Sequence, residues 1–142
     1  MRDLPGAPAP ASDPAKRLMQ MKELVRELRA HEFFKPDDQP EPRRYELRVL
    51  PVPVHRYSDE ASGLVDGGMF IIAYGLNPEL VLLVEASRKG AAGTAWTYGL
   101  GRVAIAELHV DFKGKEIWSH PGGYSRGPQD TYWLFSKPAQ GE

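Results

Sequence analysis

The chain of 142 residues contains no cysteine. This absence excludes disulfide bonds, zinc ribbons, iron–sulfur clusters and thiol nucleophiles. The sequence also has no apolar run that approaches the roughly 20 residues of a membrane-spanning helix, and its N-terminus lacks the apolar core of a signal peptide. We therefore expect no membrane span and a cytoplasmic location, although a precursor already trimmed of its signal would show the same features.

An excess of charge of one sign is also missing, because 18 basic and 19 acidic residues give a formal net charge of −1. Without a basic excess, nucleic acid is not an expected partner. The sequence contains no G-x-G-x-x-G, G-K-[ST] or H-E-x-x-H motif, so we predict neither a cofactor nor a metal. A chain of this length forms one domain and buries roughly 68–70% of its unfolded surface without a metal or disulfide staple.

Two apolar runs dominate the middle of the chain, at residues 69–74 and 80–85. They flank a segment that contains Gly75 and Pro78. Short apolar runs bounded by Gly and Pro are typical of buried strands. Burial of each Leu or Val contributes roughly 1.5–3 kcal/mol. We therefore predict that the two runs form an antiparallel hairpin at the centre of the core.

Residues 14–30 have the pattern of an amphipathic helix. Asp13 can cap its first turn, and Pro14 suits the first helical position. An apolar stripe then recurs at helical spacing, with Leu24 beside it, and is formed by Leu18, Met21, Val25 and Leu28. This stripe either packs on the chain's own sheet or pairs with another chain.

The rest of the chain predicts strands and linkers. Residues 1–13 are rich in Pro and Ala, which predicts a mobile tail or an arm that packs on a partner. Residues 35–42 predict an exposed linker, and residues 55–68 predict a loop or short ragged strands. The predicted strands lie at residues 45–50, 96–100, 102–112, 115–119 and 131–135, in addition to the central hairpin.

These elements together predict an α+β fold. The connections between strands are too short for parallel crossovers, which favours an antiparallel sheet. We predict a single domain over residues 14–136, with a β region at 43–136 and a C-terminal tail at 137–142. In this domain an N-terminal helix packs on a mainly antiparallel six- to seven-stranded sheet, folded as a small sandwich or open barrel.

A row of polar residues is the first candidate site. Along the predicted strand at 104–112, Glu107, His109 and Asp111 share one face, at spacings of roughly 6.5–7 Å. Carboxylate and imidazole groups suit a metal or acid–base chemistry. Positions in line on one strand fan apart, however, so we also interpret the row as the solvated face of the strand and assign no catalytic residue.

Aromatic residues near the C-terminus are the second candidate. Trp118, Tyr124 and Trp133 lie in and around a Gly/Pro-rich loop at residues 120–130. Exposed rings could stack on sugar faces or anchor a partner protein. The alternative is ordinary edge-strand packing under a loop. Asp66, in the glycine-rich segment at residues 63–68, could bind a cation, but we interpret it as a turn residue that accepts backbone N–H groups.

The order of several segments resembles an uncharacterised bacterial family of small helix-plus-β domains. The similar segments are residues 15–28, 43–57, 63–86 and 96–119, which include AKRLMQMKELVREL, GLVDGGMF and NPELVLLVEA. They are framework features and span most of the chain. No activity of such a family is known, so the resemblance implies no catalytic residue and supports only treating helix and sheet as one unit.

We favour a non-enzymatic binding or assembly module whose partner is another protein or a second copy of the chain. One alternative is a metal-assisted or acid–base hydrolase at Glu107, His109 and Asp111. The other is a glycan-binding module that uses the loop aromatics. The possible contact surface consists of Leu18, Met21, Val25, Trp118, Tyr124 and Trp133.

Overall fold

The computed structural model describes residues 1–123 and contains, within them, one α-helix and nine strands in one sheet. The helix, α1 (Pro14–Arg26), has 13 residues. Among these residues no helix is long and apolar enough to cross a bilayer. The strands are β1 (Arg2–Asp3), β2 (Leu28–Phe34), β3 (Arg43–Val49), β4 (His55–Asp59), β5 (Leu64–Tyr74), β6 (Asn77–Arg88), β7 (Thr94–Arg102), β8 (Glu107–Phe112) and β9 (Lys115–His120).

The strands form a curled half-barrel in the order β1-β7-β6-β5-β3-β2-β8-β9, with β4 also paired to β5. Every strand pairing among residues 1–123 is antiparallel. The α+β class and the antiparallel sheet are therefore confirmed. The predicted count of six to seven strands is too low, and the helix is not the first element because β1 precedes it.

The hairpin of β5 and β6 is the centre of the core, as predicted. The two strands pair along almost their whole length, from Leu64 opposite Ser87 to Tyr74 opposite Asn77. Gly75 has a φ of 57° at the tip, where a residue with a Cβ would be strained. The inward side chains are 0–1% exposed and comprise Phe70, Ile72, Leu80, Leu82 and Val84.

The predicted helix is wrong over its last four residues, because α1 ends at Arg26 and β2 begins at Leu28. Leu28 also fits the helical stripe in spacing, but Leu28 and Ala30 alternate with exposed residues as in a strand. Strand β2 pairs with β3 on one side and β8 on the other. Pairing on both sides supplies hydrogen bonds that outweigh the weak local preference for helix.

The first residues also differ from the predicted mobile tail. Arg2 and Asp3 pair with Tyr98 and Thr97 on β7, and Leu4 is 6% exposed in the core. The Pro/Ala-rich composition of this segment does not indicate that Leu4 would be buried or that Arg2 and Asp3 would pair with a strand. The predicted linker at 35–42 contains no helix or strand, and the predicted strand at 131–135 lies outside the described residues.

Helix α1 packs on the chain's own sheet, since Met21 and Val25 are fully buried in the shared core. Its N-terminal turn is held by Asp66 on β5, which accepts from Nε of Arg17 at 2.9 Å and from Nη2 of Arg56 at 2.6 Å. Asp66 is therefore a buried ion-pair residue rather than the predicted turn residue. Of the predicted helix contact surface, only Leu18 keeps partial exposure.

Replacement of Gly68 by Ala should destabilise the protein by about 1–3 kcal/mol. The added Cβ would lie 2.9 Å from the ring of Phe70 and 3.1 Å from the sulfur of Met21. Both neighbours are 0% exposed, so other atoms of the core enclose them. Urea unfolding measures the change in the free energy of unfolding.

Gly101→Ala is the matched control, because that glycine also lies in a strand and no atom lies within 4 Å of the position that an added Cβ would take. We expect this variant to have the stability of the parent protein within about 0.5 kcal/mol. Equal stability of the two variants would contradict the close packing of α1 against β5.

Candidate functional site

A cavity of about 630 Å³ opens at one end of the half-barrel and is called here the mouth pocket. Its walls come from β2, β3, the tip of the β5–β6 hairpin and residues 103–106 between β7 and β8. Residues 104–106 were predicted to begin a strand, but β8 starts only at Glu107. This connection leaves the sheet and forms one wall of the pocket.

Glu32 reaches the mouth pocket from the inner face of β2. It follows Leu28 and Ala30 in the alternation of that strand, and it is only 5% exposed. Its neighbours across the sheet are Tyr45 on β3 and Leu108 on β8. A glutamate therefore occupies a position where the pattern of the strand calls for an apolar residue.

Glu79 reaches the same pocket from β6 because a β-bulge turns it inward. In the register with β5, Pro78 lies opposite Ala73 and Leu80 opposite Ile72, so Glu79 is an extra residue. Consequently Glu79 and Leu80 are consecutive and both buried, at 9% and 0% exposure. Bulges commonly re-aim a side chain beside a functional site.

The two glutamates form a hydrogen-bonded carboxyl pair. Burial, followed by the charge and hydrogen bond of Glu32, raises the pKa of Glu79 to about 7. Burial also raises the pKa of Glu32, although the hydrogen bond from Glu79 opposes this shift. The two carboxyl groups therefore share one proton as a pair.

No other N–H or O–H group of residues 1–123 donates a hydrogen bond to either carboxyl group. The pair thus contrasts with Asp66, which two arginines neutralise. A carboxyl pair has about eight acceptor lone pairs and uses one proton internally. Both side chains line the mouth pocket.

Aromatic and apolar side chains form the rim of the mouth pocket. Phe34 is 40% exposed, Tyr74 45% and Val103 37%, although all three are large apolar groups. The rings of Tyr45 and Tyr74 meet edge to face with 5.2 Å between centroids. Exposed rings around a concave, partly polar floor are typical of a ligand pocket.

The far wall is fixed by backbone contacts of residues 121–123. The N–H of Gly123 donates to the carbonyl of Ile105 at 2.7 Å. Buried Arg102 donates through Nη1 to the carbonyl of Gly123 at 2.6 Å. A Cβ on Gly122 would lie 2.6 Å from the backbone N of Glu107, so this close approach requires glycine.

The predicted polar row lies on the outer face of β8, and the structure brings together part of it. His109 contacts Glu107 through Nε2 at 2.9 Å and Glu116 on β9 through Nδ1 at 2.7 Å. Its ring stacks on His31 of β2, with 4.8 Å between centroids and an interplanar angle of 5°. Asp111 acts on this cluster through its charge, which favours protonated His31.

The surroundings of the two stacked histidines shift their pKa values in opposite directions. Hydrogen bonds from His109 to Glu107 and Glu116 raise the pKa of His109. Burial, followed by the charges of Arg44 and His109, lowers the pKa of His31. Among residues 1–123, no group of three or more His, Asp or Glu side chains is arranged to hold a metal ion.

The predicted aromatic candidates are only partly described. Trp118 on β9 is half-buried against the core, and its ring stacks on His120 with 6.1 Å between centroids. Tyr124 and Trp133 lie outside the described residues. The sequence reasoning missed the carboxyl pair; its signals were a glutamate at an inward position of β2 and a glutamate between Pro78 and the apolar run.

Comparison with protein-family models, with curated proteins and with solved structures gives no match to this chain.

Replacement of Glu79 by Gln should reduce the loss of stability that the parent protein shows as the pH rises. A raised pKa means that the folded state binds this proton more tightly than the unfolded state. The stabilisation is therefore complete below about pH 4.5 and is lost as the pH rises through about 7. Urea unfolding at several pH values gives the difference between the two proteins.

The matched control is Glu23→Gln, which removes one carboxylate from the exposed side of α1. Its stability should follow that of the parent protein across the pH range. If Glu79→Gln also ran parallel to the parent, the raised pKa of Glu79 would be refuted.

NMR titration of the imidazole resonances should place the pKa of His109 above 6.5 and that of His31 below 6.5. Glu107→Gln removes one of the two carboxylates bound to His109 and should lower its pKa. The stabilisation from His109 is complete below pH 6.5 and is lost as the pH rises through its folded pKa. An unchanged titration of His109 in Glu107→Gln would contradict the observed pairing.

Proposed function

We propose that the protein is a small-molecule binding module whose site is the mouth pocket. The observation that carries the proposal is a cavity of about 630 Å³ that joins an exposed aromatic rim to a buried carboxyl pair. Pockets for small ligands commonly span roughly 300–1,000 Å³ and combine apolar walls with a few polar groups. The proposal keeps the non-enzymatic binding function expected from the sequence. It replaces the expected partner, a protein or a second copy of the chain, with a small molecule.

The ligand that fits is an organic molecule with an apolar body and a polar head. Phe34, Tyr45 and Tyr74 offer ring faces and edges to the apolar body at the rim. Glu32 and Glu79 offer acceptors to the head at the floor. The glycan-binding alternative would use the same aromatic and carboxyl groups, with sugar hydroxyls as the donors.

An assembly role for the α1 stripe has less support. Met21 and Val25 are 0% exposed within the chain itself, so they offer no surface to a partner. A protein partner or second copy, a bacterial origin and a cytoplasmic location remain proposals that rest on sequence pattern alone. They are compatible with a binding module and do not depend on its ligand.

Acid–base catalysis at the carboxyl pair is a second candidate. It is favoured by the pKa of about 7 at Glu79, which lies where a general acid or base works near neutral pH. This candidate replaces the hydrolase centred on Glu107, His109 and Asp111, since that cluster is on the outer face. Catalysis consumes the bound molecule, whereas a binding module releases it unchanged.

Tyr74→Ala should weaken ligand binding about tenfold, because loss of an aromatic contact of this kind is worth on the order of 1.4 kcal/mol. Ligand-observed NMR with a library of small aromatic fragments identifies ligands, and titration gives their dissociation constants. Val52→Ala is the matched control, since Val52 is 60% exposed and does not line the pocket. A library without a binder, or equal effects of the two variants, would refute the proposed site.

A further inference from the structure

We infer that the mouth pocket takes an organic cation, with its ammonium group on Glu32 and Glu79 and its apolar body against Phe34, Tyr45 and Tyr74. This inference rests on the proposed function and names the chemical class of the ligand. Two observations support it: the two acidic side chains of the floor, which accept hydrogen bonds from no other group of residues 1–123, and the exposed rings of the rim.

The floor of the pocket carries acidic groups without a basic partner among its described lining. Glu32 is 5% exposed and Glu79 is 9% exposed, so both are removed from bulk water. Among the described residues that line the pocket, none is Lys, Arg or His. A buried acid is normally paired with a cation or else neutralised by a proton. Here a shared proton neutralises one acid, and no described residue of the lining supplies a cation for the other.

The hydrogen-bonding capacity of the pair matches an ammonium group. A primary ammonium has three donors and no acceptor, and a carboxylate pair has only acceptors. Charge-assisted hydrogen bonds of this kind are about twice as strong as neutral ones. An anionic head would instead meet two acids, and a neutral hydroxyl would gain no charge attraction. The chemistry of the floor therefore favours a cation over both.

The rim supplies the second half of the recognition. Phe34 and Tyr74 expose 40% and 45% of their surface at the mouth, and Tyr45 packs against Tyr74. The electron-rich faces of such rings attract cations and also bury apolar chains. An ammonium ion attached to a short apolar body can thus contact the carboxyl pair and the rings at the same time.

Binding of the cation should displace the shared proton. The free pair holds one proton between two carboxyl groups and carries one negative charge. In the complex both groups are carboxylates, the ligand keeps its ammonium proton, and the displaced proton passes to the buffer. The site is lined by four titratable side chains: Glu32 on β2, Tyr45 on β3, Tyr74 on β5 and Glu79 on β6. Residues 103–106 contribute no titratable side chain. Arg102 on β7 is buried near this wall and donates to Gly123.

The test uses three probes that share a phenyl ring on three methylene groups and differ only in the head group: 3-phenylpropylamine, 3-phenylpropanol and 4-phenylbutanoate. Isothermal titration calorimetry with the full chain near pH 6 gives their affinities. We expect the amine to bind at least tenfold more tightly than the alcohol, and the carboxylate to bind more weakly than both. Repetition in two buffers of different ionisation enthalpy should reveal proton release with the amine alone.

Glu32→Gln and Glu79→Gln keep the size of each side chain and remove one acid. Both variants should lose the preference for the amine, and neither should release a proton, while binding of the alcohol persists. Glu23→Gln, exposed on α1, should behave as the parent protein. Proton release by the parent protein is measured without any variant, so a variant that misfolds leaves the inference testable.

Three results would overturn the inference. If the alcohol binds as tightly as the amine, or if the amine does not bind while library fragments do, the ligand is not a cation and the binding module still stands. If neither the three probes nor any library fragment binds, the proposed function fails together with the inference.

Discussion

The register between β5 and β6 is the constraint on which both the core and the pocket depend. With strict alternation, inward Leu80 would leave Glu79 facing outward. The extra residue at the bulge lets both side chains face inward, and Pro78 beside it donates no hydrogen bond. Pairing of β3 with β5 also stops at Ala73, the level of the bulge. One irregularity therefore supplies a floor residue and opens the wall of the pocket.

The fold treats its buried acids in two different ways. Although burial raises it, hydrogen bonds from Arg56 and Arg17 hold the pKa of Asp66 below its ordinary value. That carboxylate is fully satisfied and fastens α1 to β5. Within residues 1–123, Glu32 and Glu79 have only each other. The first arrangement stabilises the scaffold, and the second leaves reactive or binding capacity at the mouth of the barrel.

Sequence reasoning predicted what depends on local composition. The apolar runs on either side of Gly75 predicted the central hairpin, and the order of short strands predicted the antiparallel sheet. It failed where pairing decides the outcome: Leu28 fits both a helical stripe and a strand, and its pairing with Phe112 on β8 selects the strand. The carboxyl pair was missed for the same reason, since Glu32 and Glu79 are 47 positions apart and meet only through the curl of the sheet.

The outer cluster and the inner pair show why residue type alone is a weak guide to a site. His109 with two glutamates has the side chains of a catalytic or metal centre, yet both glutamates are exposed to solvent, where such pairs are worth little. The inner pair consists of two ordinary glutamates, but both are buried beside the pocket, Glu32 at an inward position of β2 and Glu79 at the bulge of β6. Replacement of buried charged groups by apolar side chains of similar volume is often neutral or stabilising. A fold that instead keeps two acids beside the mouth pocket gives up apolar packing there, and such local departures from good packing are expected at functional sites.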